Sequence, residues 1–337
     1  MVHFTLCFKS LGDDVKREVF TPQNITPIVS AKAWAVVNAK NGKVILSKNK
    51  DDRREIASLT KIMNIVTVFK LVRQFDLDLY RTKLSATRNA AYINGTRANL
   101  QEGDSLYLWD LLHGLMLPSG NDAAICLAEY FGLLIYSAQN PSSIVPPKYP
   151  SKLFVTEMNI NAMLLKLTQT TFANPHGLSN FNNKSSAGDM GRLAAFAMKN
   201  SKFREIVSCR EYICTGYDRE EKCKTFKWTN TNKMLDYDGY NGIKTGVTPA
   251  AGPCLASCYE KADLHIITIL ISSRSMEHRW VETKRLVKWA GVKHKLDIAH
   301  QNAKENATIT HHSNNNPNRI EVFKHKPVII NNYRYKN

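Results

Sequence analysis

The residues in this chain whose types and spacing could do chemistry begin with Ser58-Leu-Thr-Lys61. A serine hydroxyl is a weak nucleophile until a base within hydrogen-bond reach takes its proton. A lysine three positions later on a helix lies on the same face, one turn on. That lysine must be neutral to act, and an isolated lysine titrates near ~10.4. Burial, a second ammonium such as Lys244 and a helix N-terminus would each lower the value. The same helix start leaves backbone N–H groups unpaired, so the N–H of Ser58 can serve as an oxyanion donor. Two further words follow in order, Ser119-Gly-Asn121 and Lys244-Thr-Gly246. The first supplies polar groups from a second wall and the second a basic strand that can hold a carboxylate. Acyl transfer through a serine ester is the chemistry these three words permit together.

Each word alone is weak. Ser47-Lys-Asn-Lys50 has the same spacing as Ser58 and Lys61, but reads as a polar strand end beside a turn. Ser313-Asn-Asn315 repeats the second word in an aperiodic stretch. Lys244-Thr-Gly246 is more specific, because lysine and glycine inside a strand cost sheet stability. His176, in Asn174-Pro-His-Gly177, reads as a turn histidine with no acidic partner at hand, and Glu157 as part of a solvated helix face.

The elements that must position these words can be read from periodicity. Residues 33–38 and 43–48 flank Asn41-Gly42, a hairpin turn signal. Residues 56–74 are apolar on nearly every face and lack Gly and Pro, which predicts a buried helix with Ser58 in its first turn. A helix over 106–117 breaks at Pro118, placing Ser119 to Asn121 in an interhelix loop before another helix that ends near Gly132. Residues 138–152 are Pro- and Ser-rich and read as a surface insertion, and 154–167 return to helical spacing. A helix is expected near 188–199, followed by a poorly periodic, cysteine-bearing stretch. Residues 243–248, 254–259 and 264–272 read as three antiparallel strands, and 280–290 as a closing helix stopped by Gly291. Beyond about His300 the chain reads as an Asn-rich tail.

At 337 residues and a net charge of +17, the chain is long enough for a sizeable core, and its basic residues are scattered rather than clustered. With no helix-turn-helix, RNA-binding sheet signature or zinc-finger spacing, a specific nucleic-acid partner is not expected. No apolar run reaches the ~20 residues of a membrane span, and the first twenty residues lack the apolar stretch of a secretory signal. Seven cysteines, without paired CxxC motifs, argue for buried thiols rather than a disulfide framework, even for Cys254 and Cys258, which share a strand face.

With the three words go the runs EIASLTKIMN, LMLPSGNDAA, FANPHGLS followed by SSAGDM, and KTGVTPAAG. In this set the chain resembles the D-alanyl-D-alanine carboxypeptidases of the low-molecular-mass penicillin-binding type, the S11 peptidases, over roughly residues 30–295. The resemblance implies an α/β (α+β) fold in which an antiparallel β-sheet flanked by helices meets an all-helical lobe, as in β-lactamases and DD-peptidases. It implies an N-terminal extension over 1–29, the peptidase domain over 30–295 and a tail over 296–337. Ser58 matches the acylated nucleophile, Lys61 its base, Ser119 a proton relay and Asn121 the group that holds the substrate amide. Lys244 matches the electrostatic anchor, Thr245 a carboxylate ligand, Gly246 the point of close substrate approach and the backbone of Val247 a second oxyanion donor. Arg279 falls, by spacing, where the family carries a carboxylate-binding arginine. The implied substrate is a peptide ending in D-Ala-D-Ala, with β-lactams as covalent inhibitors and no cofactor or metal. The family is usually extracytoplasmic, while this sequence shows no signal of its own. A β-lactamase, another D-amino-acid peptidase or esterase, or an inactive binding homologue would use the same scaffold. Val247 replaces a more polar residue often found there, which bears on deacylation.

Overall fold

The computed structural model describes residues 27–313. In chain order the elements are β1 (Ala33–Asn38), β2 (Val44–Lys48), β3 (Arg54–Glu55), α1 (Thr60–Gln74), β4 (Lys83–Ser85), α2 (Arg88–Ala91), β5 (Ser105–Tyr107), α3 (Leu108–Met116), α4 (Asn121–Gln139) and α5 (Pro150–Leu164). There follow β6 (Lys184–Ser185), α6 (Ala187–Ala197), α7 (Ser201–Ser208), β7 (Glu211–Tyr217), β8 (Cys223–Thr229), β9 (Tyr240–Thr248), β10 (Gly252–Lys261), β11 (Leu264–Ile271) and α8 (His278–Ser313). Contacts divide the chain into a unit ending at Gly291 and a second running from Val292 to Asn337. The first unit holds every strand of the described residues.

Its centre is a five-stranded antiparallel sheet in the order β2-β1-β11-β10-β9. Side chains alternate across a strand, so a sheet covered on both faces needs apolar residues at every position. β1 and β11 meet that need. Ala33, Ala35 and Val37 with Ile267, Ile269 and Ile271 face the larger core. Trp34 and Val36 with Ile266 and Leu270 face a second one, closed by Leu286, Val287 and Ala290 of α8. α6 packs across the first face, on β1 and β11.

The helical side is built around α1. Eleven of its fifteen residues are buried, so it has no solvent face to speak of. α3, α4 and α5 pack against it, and Phe131 and Phe154 are fully buried between them, each contributing about 1.5–3 kcal/mol of apolar burial. Within this apolar setting α1 carries a polar line at three-residue intervals. Asn64 donates to the carbonyls of Pro175 and Ala124, and Thr67 accepts from Asn161. Lys61 heads the line, so the lysine itself is held by a buried helix face.

Three differences from the sequence expectations have physical causes. Residues 211–229 form a hairpin that completes a second sheet, β4-β5-β7-β8, instead of an unpatterned stretch. Only Gly216 of β7 and Phe226 and Trp228 of β8 are buried, so the alternation is too sparse to register. Gly291 does not stop α8, which continues to Ser313. One glycine costs a helix interior only about 1 kcal/mol, and no proline follows until Pro317. Glu157 is not a freely solvated group. It ion-pairs with Lys70 and its side chain is 15% exposed. The first twenty-six residues and those after Ser313 lie outside the described residues, as does most of the expected extension and the end of the expected tail. Among the described residues six cysteines are free thiols, including Cys254 and Cys258, and no helix is long and apolar enough to cross a membrane.

Candidate active site

Ser58 sits in a 3-10 turn, Ala57–Leu59, that feeds directly into α1. Ala57 before it has φ 48°, a left-handed conformation that costs a non-glycine residue about 1–3 kcal/mol and persists only where its surroundings impose it. Ser58 is partly exposed, whereas Lys61 is fully buried. The Lys61 amine lies 3.1 Å from Ser58 Oγ, 2.7 Å from Asn121 Oδ1 and 2.7 Å from the His176 carbonyl. The last two are pure acceptors, and Asn121 is fixed in this sense because its Nδ2 donates to the Asn94 carbonyl at 2.8 Å. A neutral amine has two N–H groups and one lone pair. With both N–H groups committed to those carbonyls, the lone pair is left for the Ser58 hydroxyl.

Electrostatics favour that neutral form. Burial depresses the Lys61 pKa well below the ordinary lysine value, and the charge of Lys244 adds to the effect, while Asp122 opposes it. Lys244 is 1% exposed, donates to the Thr245 carbonyl at 3.1 Å and is brought down to about 7, mainly by burial and then by Arg279. His176 is held neutral, at about 3, by burial and then by Lys61, and its Nδ1 accepts from the Leu178 amide at 3.1 Å. The imidazole thus stays in its turn, while the backbone carbonyl beside it reaches the lysine.

β9 forms one wall, carrying Lys244, Thr245 and Gly246 past the Ser58 turn. A Cβ at Gly246 would stand 3.0 Å from the Ser58 amide nitrogen and 3.1 Å from the Ile56 carbonyl. Only glycine lets this strand run so near Ser58. Thr245 Oγ1 pairs with Thr231 Oγ1 at 2.7 Å, and Val247 is 50% exposed. Arg279 lies behind this wall and is 3% exposed. Its Nη1 donates to the carbonyls of Gly246 and Cys254, each at 3.2 Å, so it braces β9 against β10 while adding positive charge.

The opposite wall is the turn before α4. Ser119 is 5% exposed, with φ 65°. Residues that sequence reading missed hold this turn. Thr96 Oγ1 donates to the Ser119 carbonyl at 2.7 Å, and its own carbonyl accepts from the Asn121 amide at 2.8 Å. The fully buried Asp122 accepts from the amides of Ala98 and Leu100 at 2.7 and 3.0 Å. These clamps come from a loop with no periodic pattern, and the only signal for them was the adjacency of Asp122 to Asn121. Thr96→Val should cost about 1 kcal/mol of folding stability, read by urea denaturation, because it leaves the Ser119 carbonyl without its partner.

Comparisons with known proteins bear on the family and the fold. The profile of the D-alanyl-D-alanine carboxypeptidase family, Peptidase S11, matches residues 19–135 and 146–275. The chain is 31% identical over 266 residues to the D-alanyl-D-alanine carboxypeptidase of Streptomyces sp. (strain K15), covering 78% of this chain and 88% of that protein. It is 28% identical over 261 residues to the D-alanyl-D-alanine carboxypeptidase DacF of Bacillus subtilis, covering 77% of this chain but spanning only 62% of that relative's length. The crystal structure of the Streptomyces K15 DD-transpeptidase superposes with a TM-score of 0.72 at 31% identity, covering 80% of this chain and 99% of that one. The α+β architecture, the profile and the relatives lead to one assignment: this chain belongs to the D-alanyl-D-alanine carboxypeptidase family, the S11 peptidases.

Proposed function

We propose that the chain is a serine-type DD-carboxypeptidase that releases the terminal D-alanine from peptides ending in D-Ala-D-Ala. The observation that carries this reading is the contact of the Lys61 amine with Ser58 Oγ while both its N–H groups are engaged elsewhere. In the proposed reaction neutral Lys61 accepts the Ser58 proton as Oγ attacks the carbonyl of the penultimate residue. The backbone N–H groups of Ser58 and Val247 receive the oxyanion. Lys244 and Thr245 take the terminal carboxylate, with Arg279 reinforcing the positive field from behind the strand. Asn121 orients the substrate amide, and Ser119 passes a proton to the departing amine. The C–N bond then breaks, leaving an acyl ester on Ser58, and water cleaves that ester to regenerate the hydroxyl.

A reading as a β-lactamase of class A needs a glutamate poised to activate water, and Glu157 ion-pairs with Lys70 instead. A β-lactam should therefore acylate Ser58 and leave slowly. Incubation with a fluorescent penicillin followed by peptide mapping should find one label, on Ser58, and a peptide ending in D-Ala-D-Ala should release D-alanine. Folded protein that takes no label, or that turns over a chromogenic cephalosporin much faster than it releases D-alanine, would defeat the proposal.

A further inference from the structure

A cavity of about 840 Å³ lies among α1, α5, α6 and α7, away from Ser58. Lys70 and Arg73 reach it from the C-terminal part of α1, nine or more residues beyond Lys61. That spacing is about 14 Å or more along the helix axis. Its walls are apolar, with Val66, Phe69 and Phe203 beneath and Leu164 and Phe196 at its edge. Leu164 is 64% and Phe196 45% exposed, so the apolar wall continues out to the rim. The polar lining is one-sided. It contains Lys70, Arg73 and Lys199 but no carboxylate. Lys70 is already satisfied by Glu157 and Asn161, whereas Arg73 and Lys199 have no acidic partner among the described residues.

An apolar recess of this size with unpaired cations at its margin is complementary to a molecule that is apolar along its length and anionic at one end. A neutral apolar ligand would make no use of the exposed cations at the rim, and a small hydrophilic anion would leave the walls wet. We propose that this cavity binds a single-chain amphiphile with an anionic head, a fatty carboxylate in chemistry, with the chain against Phe69, Leu164 and Phe196 and the head between Arg73 and Lys199. The site does not depend on the peptidase reading, because it shares no residue with the cleft.

The test uses the whole chain and dansylundecanoate as a fluorescent probe, below its micellar range. The probe should bind saturably and be displaced by dodecanoate, while dodecanol should compete at least about tenfold more weakly, a factor equivalent to ~1.4 kcal/mol. Dodecanoate should raise the thermal unfolding temperature. Arg73→Glu combined with Lys199→Glu should weaken probe binding by about tenfold or more, and Phe196→Asp should weaken it through the wall instead. Both sets of changes are on exposed residues, and unchanged unfolding without ligand establishes that the fold is intact. No saturable binding, equal competition by dodecanol, or undiminished affinity in the charge-reversed protein would overturn the proposal. So would sedimentation with phosphatidylglycerol vesicles in the absence of dodecanoate binding, which would assign the patch to a lipid surface.

Discussion

Lys61→Ala should slow acylation of Ser58 by a fluorescent penicillin about 10³-fold at pH 7, measured per folded protein. The magnitude is that of a lost general base. The alanine leaves a void, yet it also removes a fully buried amine whose charged form the site disfavours, so the stability effects oppose each other. In the parent protein the acylation rate should rise with pH as Lys61 loses its proton, since the proposed base is the neutral amine. Its depressed pKa brings that rise to a pH well below that of an ordinary lysine.

A second limb should follow from Lys244, which titrates at about 7. Once Lys244 is neutral, the cleft loses the cation proposed to receive the carboxylate. The rate should therefore fall on the alkaline side, giving a bell whose two limbs belong to the coupled pair. Lys244→Arg keeps a permanent charge at this position, and the descending limb should disappear even if the maximum rate is lower. A pH profile that is flat in the parent, or one that keeps its alkaline limb in this variant, would remove Lys244 from the account.

The charge arrangement explains why such a cluster is tolerable in a fold. Lys61, Lys244 and Arg279 are all buried, and Asp122 is a buried carboxylate whose charge reaches Lys61. Three like charges out of water would be severely unfavourable, and the depressed lysine pKa values are the relief. What remains is a positive cleft suited to a ligand with a terminal carboxylate.

How much of this could be read from sequence follows from what each element needs. Ser58 and Lys61 were legible because an i, i+3 pair opening an apolar helix has one geometric meaning, and the β1 and β11 alternation is strong because both faces are buried. The β7–β8 hairpin was not legible, since its outer face meets solvent and only Phe226 and Trp228 of β8 mark its inner one. Asn94 acts through its backbone carbonyl, as Thr96 does toward the Asn121 amide, and the His176 contact to Lys61 is likewise a main-chain group. Any residue type presents a carbonyl, so composition carries no trace of these contacts. Arg279 was placed by spacing alone, and its position behind β9 depends on how α8 packs, which no local pattern encodes.

Gly177→Ala should be the most damaging single methyl that can be added near the site. Gly177 has φ +90°, and a Cβ there would fall 2.0 Å from the Ala57 carbonyl oxygen and 2.9 Å from the Ser58 amide nitrogen. Both neighbours are backbone, so no side chain can swing away. The turn that presents Ser58 has to move, or the loop of residues 174–178 has to, and that loop carries the His176 carbonyl that holds Lys61. Either movement separates Ser58 Oγ from the Lys61 amine. The unfavourable φ costs roughly 1–3 kcal/mol and the overlap a further ~1–3 kcal/mol, so denaturation should show a marked loss of stability. Acylation of the folded fraction should fall by about 10² or more, because a displacement of about 1 Å is enough for that. Gly42→Ala separates the two causes. Gly42 also has a positive φ, +72°, but its nearest contact would be an ordinary 3.4 Å to Arg192 Cα, at a hairpin remote from the cleft. It should lose only the conformational share of stability and acylate at the parental rate. If Gly177→Ala behaves no differently from Gly42→Ala in both measurements, the loop at 174–178 does not set the position of the nucleophile.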